Sequence, residues 1–465
     1  MPRILLFAST TGYQVHSFAE GAERLGFELI LATDRCHMLD DPWGDRAVAV
    51  QFDNPADSFE ALRARSPFDG LLAVGDQPAL AAAQAAERFG LAFSPPGAVL
   101  AANNKFLSRE RFAAAGLLTP GYRLIAQPID AQLIDSESIR YPCVLKPLGL
   151  SGSRGVIRAD NAGEFRAAFT RIQKLVGPLP HGRGSEALSE PRALASGIEN
   201  QASANFLHSV LVEDFIPGRE FALEGVATRG ELQTLALFDK PDPLDGPFFE
   251  ETVYVTPSRA AVDVRRAIHE TTQRAIHALG LISGPVHAEM RVNHRGVWML
   301  EVAARPIGGL CSRVLRFETG ADDAGSDHEQ ALHAVAPRLH PRLHETVTLE
   351  EILLRHAAGE SVAEARLVAG GHAVMMIPIP RAGVYGGVEG VERARAVEHG
   401  AEHIQDVDVI ITAKEGQMML PLPEGASYLG FIFGHGPSPE AAERAVRESH
   451  ACLHFEFSTP LPVVR

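Results

Sequence analysis

A short segment with the pattern of a buried β-hairpin constrains this chain more than any other feature. Residues 284–291 and 298–306 alternate apolar with polar side chains, and the turn-forming sequence Asn-His-Arg-Gly at 293–296 separates them. Two such runs with a short polar connection predict antiparallel strands. A three-residue loop, with Gly296 in the left-handed conformation, is a common connection and fixes which residues face each other.

This register places two carboxylates directly opposite each other. Glu289 faces Glu301, and the alternation of the second strand adds Arg305 on the same face. Like charges paired across strands are destabilising by up to ~1 kcal/mol, whereas a divalent cation with oxygen ligands, such as Mg²⁺, would make the pairing favourable. A solvated hairpin with scattered charge is the alternative, and the surrounding apolar residues favour a buried sheet. The other predicted pairs are Arg291 with Met299, His287 with Ala303 and Asn293 with Val297.

Length, charge and cysteine spacing exclude several classes of protein. A chain of 465 residues is too long for one core, which predicts two or three domains. The formal net charge of −15 argues against a nucleic-acid partner, because phosphate backbones need a basic surface. No stretch approaches the ~20 apolar residues of a membrane span, and the apolar run after Met1 is shorter than a signal peptide. The four cysteines are widely spaced, so we expect reduced thiols in a cytoplasmic protein.

The first 95 residues have the pattern of a parallel sheet. Three apolar runs between residues 4 and 74 alternate with helix-like segments, an order typical of α/β folds with helices on both faces. Ligands of such sheets bind beyond the carboxyl ends of the strands, here near Thr10-Thr11 or Gly75-Asp76. No G-x-G-x-x-G follows the first run, so the dinucleotide-binding fingerprint is missing.

A second unit carries a candidate anion-binding loop. Lys146 lies at the end of a predicted strand at 141–147, and the sequence GLSGSRGV follows at 149–156. Three glycines let backbone amides approach an anion closely, and a lysine directly before the loop favours phosphate. A glycine-rich hairpin with a purely structural role is the alternative, since the chain contains no P-loop sequence G-x-x-x-x-G-K-[ST].

Four further segments are candidate loops or insertions. Residues 211–218 have the pattern of a strand leaving its sheet, where backbone groups can meet an adenine edge. Residues 239–251 form a turn-rich loop with charge at both ends, which is typical of functional loops. The Gly-, Pro- and Ser-rich segment 177–197 predicts a flexible insertion without chemistry. In the segment 319–345, irregular spacing favours a solvated excursion over a metal site for the histidines, which are His328, His333, His340 and His344.

The order of these motifs resembles the ATP-grasp superfamily over about residues 1–315. Lys105, Lys146, the SGSRG loop, the 213–216 segment and the two facing carboxylates follow one another in that order. The sequences DKPDPLDGPFFEETVYVTPS, GPVHAEMRV and LEVAARPIGGLCSR are similar to those of L-amino acid ligases and related carboxylate–amine ligases. From about Leu349, AVMMIPIP and PLPEGASYLGFIFGHG are similar to the C-terminal domain of that branch.

The resemblance implies an α/β protein of three parts. These are a parallel, Rossmann-like pre-ATP-grasp domain at 1–95, an α+β ATP-grasp nucleotide-binding catalytic domain at 96–348 and a small α+β C-terminal domain at 349–465. The insertion at 177–197 and the acidic stretch after Gly320 depart from the family pattern. Many superfamily members have Asn two residues after the second metal carboxylate, where this chain has Ala303. The usual two-metal ligand set is therefore in doubt, and phosphate oxygens would complete the coordination.

The resemblance also implies roles for individual residues. ATP would bind through the lysines, the glycine-rich loop and the segment that leaves its sheet, namely Lys105, Lys146, Ser151, Gly152, Ser153, Gly155, Glu213, Phe215, Ile216 and Glu220. Glu289 and Glu301 would hold Mg²⁺, or Mn²⁺ in its place. Arg305 and Lys240 would be catalytic. The substrates would contact Glu250, Glu251, Arg305, Gly308 and Gly309.

The implied activity is an ATP- and magnesium-dependent carboxylate–amine ligase. It would form an amide, such as a dipeptide bond, through an acylphosphate and release ADP and phosphate. Its partners would be a small carboxylate and a small amine, with no nucleic acid or membrane, and a homodimer is left open. One alternative is a carboxylase of the biotin carboxylase or purine-biosynthesis type, against which the DKPDPLDGP motif and the C-terminal sequence argue. The other is a non-catalytic nucleotide-binding protein, against which the intact Lys105, Lys146, Glu289 and Glu301 argue.

Overall fold

The computed structural model describes residues 1–9, 14–34, 46–52, 58–125, 139–177, 209–319, 346–396, 406–425 and 427–458. Its helices are α1 (Gln14–Leu25), α2 (Phe59–Arg63), α3 (Asp76–Phe89), α4 (Pro96–Asn103), α5 (Lys105–Ala114), α6 (Ala162–Val176), α7 (Val262–Leu279), α8 (Leu349–Ala357), α9 (Val391–Arg395) and α10 (Pro439–Ala451), with a 3-10 turn at Cys311–Val314. Its strands are β1 (Arg3–Ala8), β2 (Glu28–Thr33), β3 (Ala47–Ala49), β4 (Gly70–Val74), β5 (Tyr122–Ile125), β6 (Cys143–Pro147), β7 (Ile157–Ala159), β8 (Val210–Asp214), β9 (Arg219–Thr228), β10 (Glu231–Lys240), β11 (Val253–Thr256), β12 (Ser283–Asn293), β13 (Gly296–Ala303), β14 (Arg316–Glu318), β15 (Val347–Thr348), β16 (Arg366–Leu367), β17 (Gly371–Ile377), β18 (Gly383–Glu389), β19 (Asp406–Ile411), β20 (Met418–Met419), β21 (Gly430–Gly436) and β22 (His454–Ser458).

The N-terminal unit is a parallel sheet with the strand order β3-β2-β1-β4, which confirms the α/β prediction. Leu5 and Phe7 of β1 pack into one core, and Ile4 and Leu6 pack into another on the opposite face. Both faces of the strand are therefore buried, which explains its continuous apolar sequence. Asp76 begins α3 directly after β4, while Thr10 and Thr11 lie outside the described residues.

The glycine-rich loop belongs to a small antiparallel sheet with the order β5-β8-β6-β7. It connects β6, which contains Lys146, to β7. Helix α6 covers this sheet with Phe165, Phe169 and Ile172, which are fully buried. Their spacing of three and four residues places them on one helix face. The loop is thus carried by its own small hydrophobic core.

An antiparallel sheet of eight strands forms the centre of the molecule. Its order is β13-β12-β9-β10-β11-β17-β21-β19, and β11 pairs antiparallel with β17 through Val255 and Ala373. The sheet therefore contains strands from both sides of the predicted boundary at residue 348 and joins the second unit to the third. The domain limits 1–95, 96–348 and 349–465 remain predictions.

The central hairpin forms with a different turn from the predicted one. Asn293 pairs with Gly296, so the loop contains two residues instead of three. The Asn293 side chain accepts hydrogen bonds from the backbone of Arg295 (3.0 Å) and from the Trp298 indole (3.1 Å). These bonds favour the tighter turn, as asparagine side chains commonly do.

A β-bulge then restores the register that the longer loop would have produced. The predicted partners of Arg291 and Asn293 were wrong, because Arg291 faces Trp298. The register shifts beyond Met290, where Leu300 is an extra residue in β13. Glu289 consequently faces Glu301, as predicted, and His287 faces Ala303.

Several predicted segments lie outside the described residues. They are most of the insertion at 177–197 and nearly all of 319–345 with its four histidines.

Among the described helices, none is long and apolar enough to cross a membrane. Ser438 caps α10 by accepting from the amide of Ala441 at 3.2 Å, as serine commonly does at the start of a helix.

Candidate active site

A cavity of about 300 Å³ lies where the glycine-rich loop, the central sheet and the C-terminal strands meet. Fifteen of the eighteen residues singled out in the sequence line it, namely Lys105, Lys146, Ser151, Gly152, Ser153, Glu213, Phe215, Ile216, Glu220, Glu251, Glu289, Glu301, Arg305, Gly308 and Gly309. The structure therefore brings together residues that are separated by two hundred positions. The remaining three, Gly155, Lys240 and Glu250, are not among the residues that line the cavity.

Three residues of the glycine-rich loop have the left-handed backbone conformation. Gly152, Ser153 and Gly155 have positive φ angles of 62°, 57° and 71°. Left-handed residues in succession turn neighbouring amides toward a common point, which suits an anion. Lys105 reaches the same loop, because its ammonium donates to the Leu150 carbonyl at 3.2 Å. Its position fits a phosphate-binding lysine at the start of α5.

Lys146 is paired with a buried carboxylate in the wall of the cavity. Its Nζ lies 2.7 Å from Oε2 of Glu213, and Nε of Arg109 lies 2.7 Å from Oε1. The N–H groups of Arg109 do not point at that oxygen and have no hydrogen-bond partner among the described residues. The contact with Arg109 is therefore electrostatic. Burial acts to raise the pKa of Glu213, but Arg109 and Lys146 outweigh it and lower the pKa to about 2.

Arg291 holds together the segments that enclose the apolar end of the cavity. It is buried and donates to Oε2 of Glu220 at 2.8 Å and to the Ile216 carbonyl at 2.8 Å. It also donates to the Leu244 carbonyl, and its guanidinium lies 5.1 Å from the centre of the Phe215 ring. One cation thus joins the segment after β8, the turn-rich loop and β9. An apolar cleft with exposed backbone groups of this kind suits an adenine ring.

Lys240 is surrounded by carboxylates below the cavity floor. Its Nζ lies 2.9 Å from Glu220, 2.5 Å from Glu251 and 3.0 Å from Glu289. Among the described residues these three carboxylates are the group that could hold a metal ion, and the lysine ammonium already lies between them. Burial acts to lower the pKa of Lys240, but Glu251 and Glu289 raise it well above its ordinary value. The ammonium of Lys240 therefore pairs with the three carboxylates and orients them.

Glu289 and Glu301 are predicted to hold magnesium, and the structure places them opposite each other. Burial acts to raise the pKa of Glu289, but Lys240 and His287 outweigh it and hold the pKa well below its ordinary value. Lys240 and His287 both contact Oε1 of Glu289, His287 at 3.5 Å. Among the described residues, the facing carboxylate of Glu301 has no hydrogen bond or ion pair with another residue. Two carboxylates that face each other across the hairpin match the oxygen ligands that Mg²⁺ prefers.

His287 supports Glu289 from the same strand. Its Nδ1 lies 2.6 Å from Oε1 of the buried Glu224. Burial acts to lower the pKa of His287, but the two glutamates raise it to about 9. The ring is therefore positively charged near neutral pH and sits between Glu224 and Glu289.

Arg305 points into the cavity, although β13 ends at Ala303. Its Nε donates to Oδ1 of Asp76 at 2.8 Å, at the start of α3. Burial acts to lower the pKa of Arg305, but Asp76 and then Glu301 raise it above its ordinary value. The predicted side-chain direction toward Glu301 agrees with this position. Its ion pair with the N-terminal unit was not anticipated.

Glu250 is partly buried outside the cavity lining. Burial raises its pKa, although a hydrogen bond from the Ile379 backbone opposes that effect. Its neighbour Glu251 has the side chain that reaches the cavity. Of the two alternatives offered by the sequence, Glu251 is therefore the better placed to contact a substrate.

Sequence reasoning gave no site role to several residues that line the cavity. His287 and Arg291 alternate with Glu289 on β12, so the period of a strand could have identified them. Four others come from the C-terminal unit, namely Met376, Ser427, Tyr428 and Phe431. Their proximity depends on the pairing of β11 with β17, for which the sequence contains no local signal.

Comparison with known proteins agrees with this geometry. Residues 139–314 match the ATP-grasp domain family, and residues 375–458 match the L-amino acid ligase C-terminal domain 2 family. The structure of L-amino acid ligase from Bacillus licheniformis superposes with a TM-score of 0.72, at 23% identity over 99% of both chains. The overall fold is therefore shared with that protein.

Two curated ligases match about half of the chain. Alanine--anticapsin ligase of Bacillus subtilis is 26% identical over 239 residues, which are 49% of this chain and 46% of that protein. Dapdiamide A synthase of Enterobacter agglomerans is 25% identical over 235 residues, which are 50% of this chain and 49% of that protein. The matches thus span less than half the length of each ligase.

The matches identify residues 139–314 as an ATP-grasp domain, in a chain that shares the fold of an L-amino acid ligase. Its C-terminal unit matches the L-amino acid ligase C-terminal domain 2 family over residues 375–458.

Proposed function

We propose that this protein uses ATP to join a small carboxylate to an amine through an acylphosphate. The observation that carries the proposal is the convergence in one cavity of Lys105, Lys146, the glycine-rich loop, the facing carboxylates and Arg305. The likeness to alanine--anticapsin ligase and dapdiamide A synthase supports amino acids or related compounds as substrates.

The arrangement suits phosphoryl transfer to a carboxylate. Lys105, Lys146 and the loop amides neutralise and position the phosphates, which is most of what this chemistry needs from a protein. Glu289 and Glu301 would hold magnesium, which when bound supplies positive charge to phosphate oxygens. The substrate carboxylate oxygen attacks the γ-phosphorus and ADP leaves. The amine nitrogen then attacks the acyl carbon, phosphate leaves, and the nitrogen loses a proton.

The carboxylate of Glu251 in the cavity wall gives the amine a place to bind. Glu251 lines the cavity, and its pKa is raised by burial and by Glu289, although Lys240 opposes this. A substrate ammonium beside it would find partial compensation for lost hydration. Arg305 would hold a carboxylate or the transferring phosphoryl group with two parallel N–H groups.

A phosphate-release screen tests this function. Purified protein, ATP and Mg²⁺ are combined with pairs of amino acids and small carboxylates, and products are identified by mass spectrometry. We expect phosphate release that requires both substrates and an amide product in equal amount. Phosphate release stimulated by bicarbonate alone would instead support a carboxylase, and ATP binding without turnover would support a non-catalytic role.

Arg305→Lys is expected to lower turnover by ~10²-fold, the size of one lost preorganised electrostatic contact, and to leave ATP affinity nearly unchanged. Lysine keeps the charge but loses the planar fork. ATP binding, melting temperature and phosphate release are measured on the same variant. Asp76→Asn is the control, because it removes the ion-pair partner of Arg305 and keeps the guanidinium. If the ion pair with Asp76 is the only role of Arg305, both variants should melt at a lower temperature than the wild type, and both should retain phosphate release.

A further inference from the structure

The C-terminal unit contacts the glycine-rich loop directly. Residues 421–425 connect β20 to β21, and two of their backbone carbonyls accept hydrogen bonds from the loop. The amide of Gly155 donates to the Pro423 carbonyl at 3.0 Å, and Nε of Arg154 donates to the Glu424 carbonyl at 3.0 Å. The end of the loop is therefore fixed by a segment that lies more than 260 residues further along the chain.

A side-chain ion pair reinforces the same junction. Arg171 on α6 donates to both carboxylate oxygens of Glu424, with Nη2 2.7 Å from Oε2. The hydrogen bond from Arg171 lowers the pKa of Glu424, and the same bond raises the pKa of Arg171. Both side chains are partly exposed, at 43% and 33%. A bidentate arginine–carboxylate pair fixes orientation more strongly than a single contact.

The junction ties the loop to the rest of the cavity wall. Ser427 and Tyr428, a few residues after Glu424, line the cavity. On its other side the small sheet is held by the turn-rich loop, because the amide of Arg158 donates to the Pro247 carbonyl at 2.9 Å. The position of the loop over the cavity therefore depends on elements outside its own sheet.

We propose that Glu424 and Arg171 are positioning residues that keep the glycine-rich loop closed over the reacting phosphate. This inference rests on the proposed ligase function. Neither side chain touches the reacting atoms. In a loosely held loop, water would attack the acylphosphate, which releases phosphate and regenerates the carboxylate without an amide. The C-terminal domain thereby determines what fraction of the acylphosphate formed from ATP becomes amide and what fraction is hydrolysed.

Glu424→Gln tests the proposal against a matched control, Glu443→Gln. Glu443 also belongs to the C-terminal unit and accepts from an arginine of the central region, Arg259, at 2.8 Å. It lies on α10 and makes no described contact with the loop. We expect the phosphate released without amide to rise about fivefold in Glu424→Gln, which corresponds to about 1 kcal/mol at 1.4 kcal/mol per factor of ten. In Glu443→Gln the ratio of amide to phosphate should match the wild type.

A charge exchange provides the second arm. Arg171→Glu alone should lower the ratio of amide formed to phosphate released. Combining it with Glu424→Arg should recover at least half of that loss. Equal ratios in Glu424→Gln and the wild type, or an equal loss in Glu443→Gln, would overturn the proposal.

Amide hydrogen exchange across residues 151–156 separates this inference from the ligase assignment. We expect exchange there to be about fivefold faster in Glu424→Gln than in the wild type and unchanged in Glu443→Gln, by the same conversion. If no amide forms with any substrate pair but exchange behaves as expected, the contact holds the loop and the ligase assignment fails. Unchanged exchange in Glu424→Gln would refute the positioning role whatever the activity.

Discussion

Glu289→Gln and Glu301→Gln are each expected to lower ATP-dependent phosphate release by about 10³-fold or more, because a metal bound to phosphate oxygens contributes several kcal/mol of charge stabilisation. The two side chains face each other across the hairpin. Glutamine keeps the size and shape of each side chain but provides no negative charge. Each substitution should therefore weaken metal binding and lower turnover.

The contacts around each carboxylate predict how the folded state responds. Glu301 has no described ion pair, so Glu301→Gln should melt at the wild-type temperature. Glu289→Gln removes one of three carboxylates around Lys240, whose other partners, Glu220 and Glu251, remain. Phosphate release, Mn²⁺ titration and thermal melting are measured on both variants. Near-normal phosphate release in either one would refute the assignment of the metal site.

Glu213→Gln is expected to lower the free energy of unfolding by ~3–5 kcal/mol, the usual result of removing one partner from a buried ion pair. Arg109 and Lys146 would both lose their counter-ion, and Arg109 is fully buried with no hydrogen-bond partner among the described residues. Denaturant unfolding measures the change. The control is Glu360→Gln, because Glu360 pairs with Arg355 at a partly exposed site, where such pairs contribute ~0–1 kcal/mol.

The pH dependence of this loss has a definite sign. The pKa of Glu213 falls from its ordinary value of 4.5 to about 2 in the folded protein. A lowered carboxyl pKa stabilises the fold above the ordinary value, and that contribution disappears as pH falls toward the folded value. The difference between the wild type and Glu213→Gln should therefore be constant above about pH 5 and shrink between pH 4.5 and 2. A difference that grows toward acid pH would contradict the buried, ionised state of Glu213.

The hairpin illustrates how far a sequence can define a site. Alternation and turn residues predicted the strands and the pairing of Glu289 with Glu301, which the structure confirms. The reasoning behind that pairing was partly wrong, because a two-residue loop and a bulge at Leu300 replace the three-residue loop. Bulges have no simple sequence signal, since they depend on how the strand must bend over the core.

Long-range pairing accounts for most of what the sequence did not reveal. The family resemblance implies a catalytic role for Lys240, but the three glutamates around it come from β9, β12 and the loop after β10. The partnership of Arg305 with Asp76 joins residues 229 positions apart. Local periodicity identifies which residues share a face of one strand, but it contains no information about which element packs against that face.

The pairing of β11 with β17 has a consequence for how the protein folds during its synthesis on the ribosome. The last strands of the central sheet are synthesised after all its others, so β11 has no partner on one side until residues beyond 371 have emerged. Val253 and Val255, which are fully buried in the finished fold, are exposed in that interval. A long nascent chain with an open apolar edge is prone to wrong pairing. The central sheet is thus completed only after its C-terminal strands have been synthesised, and chaperones that bind unpaired strands would act on this chain before that stage.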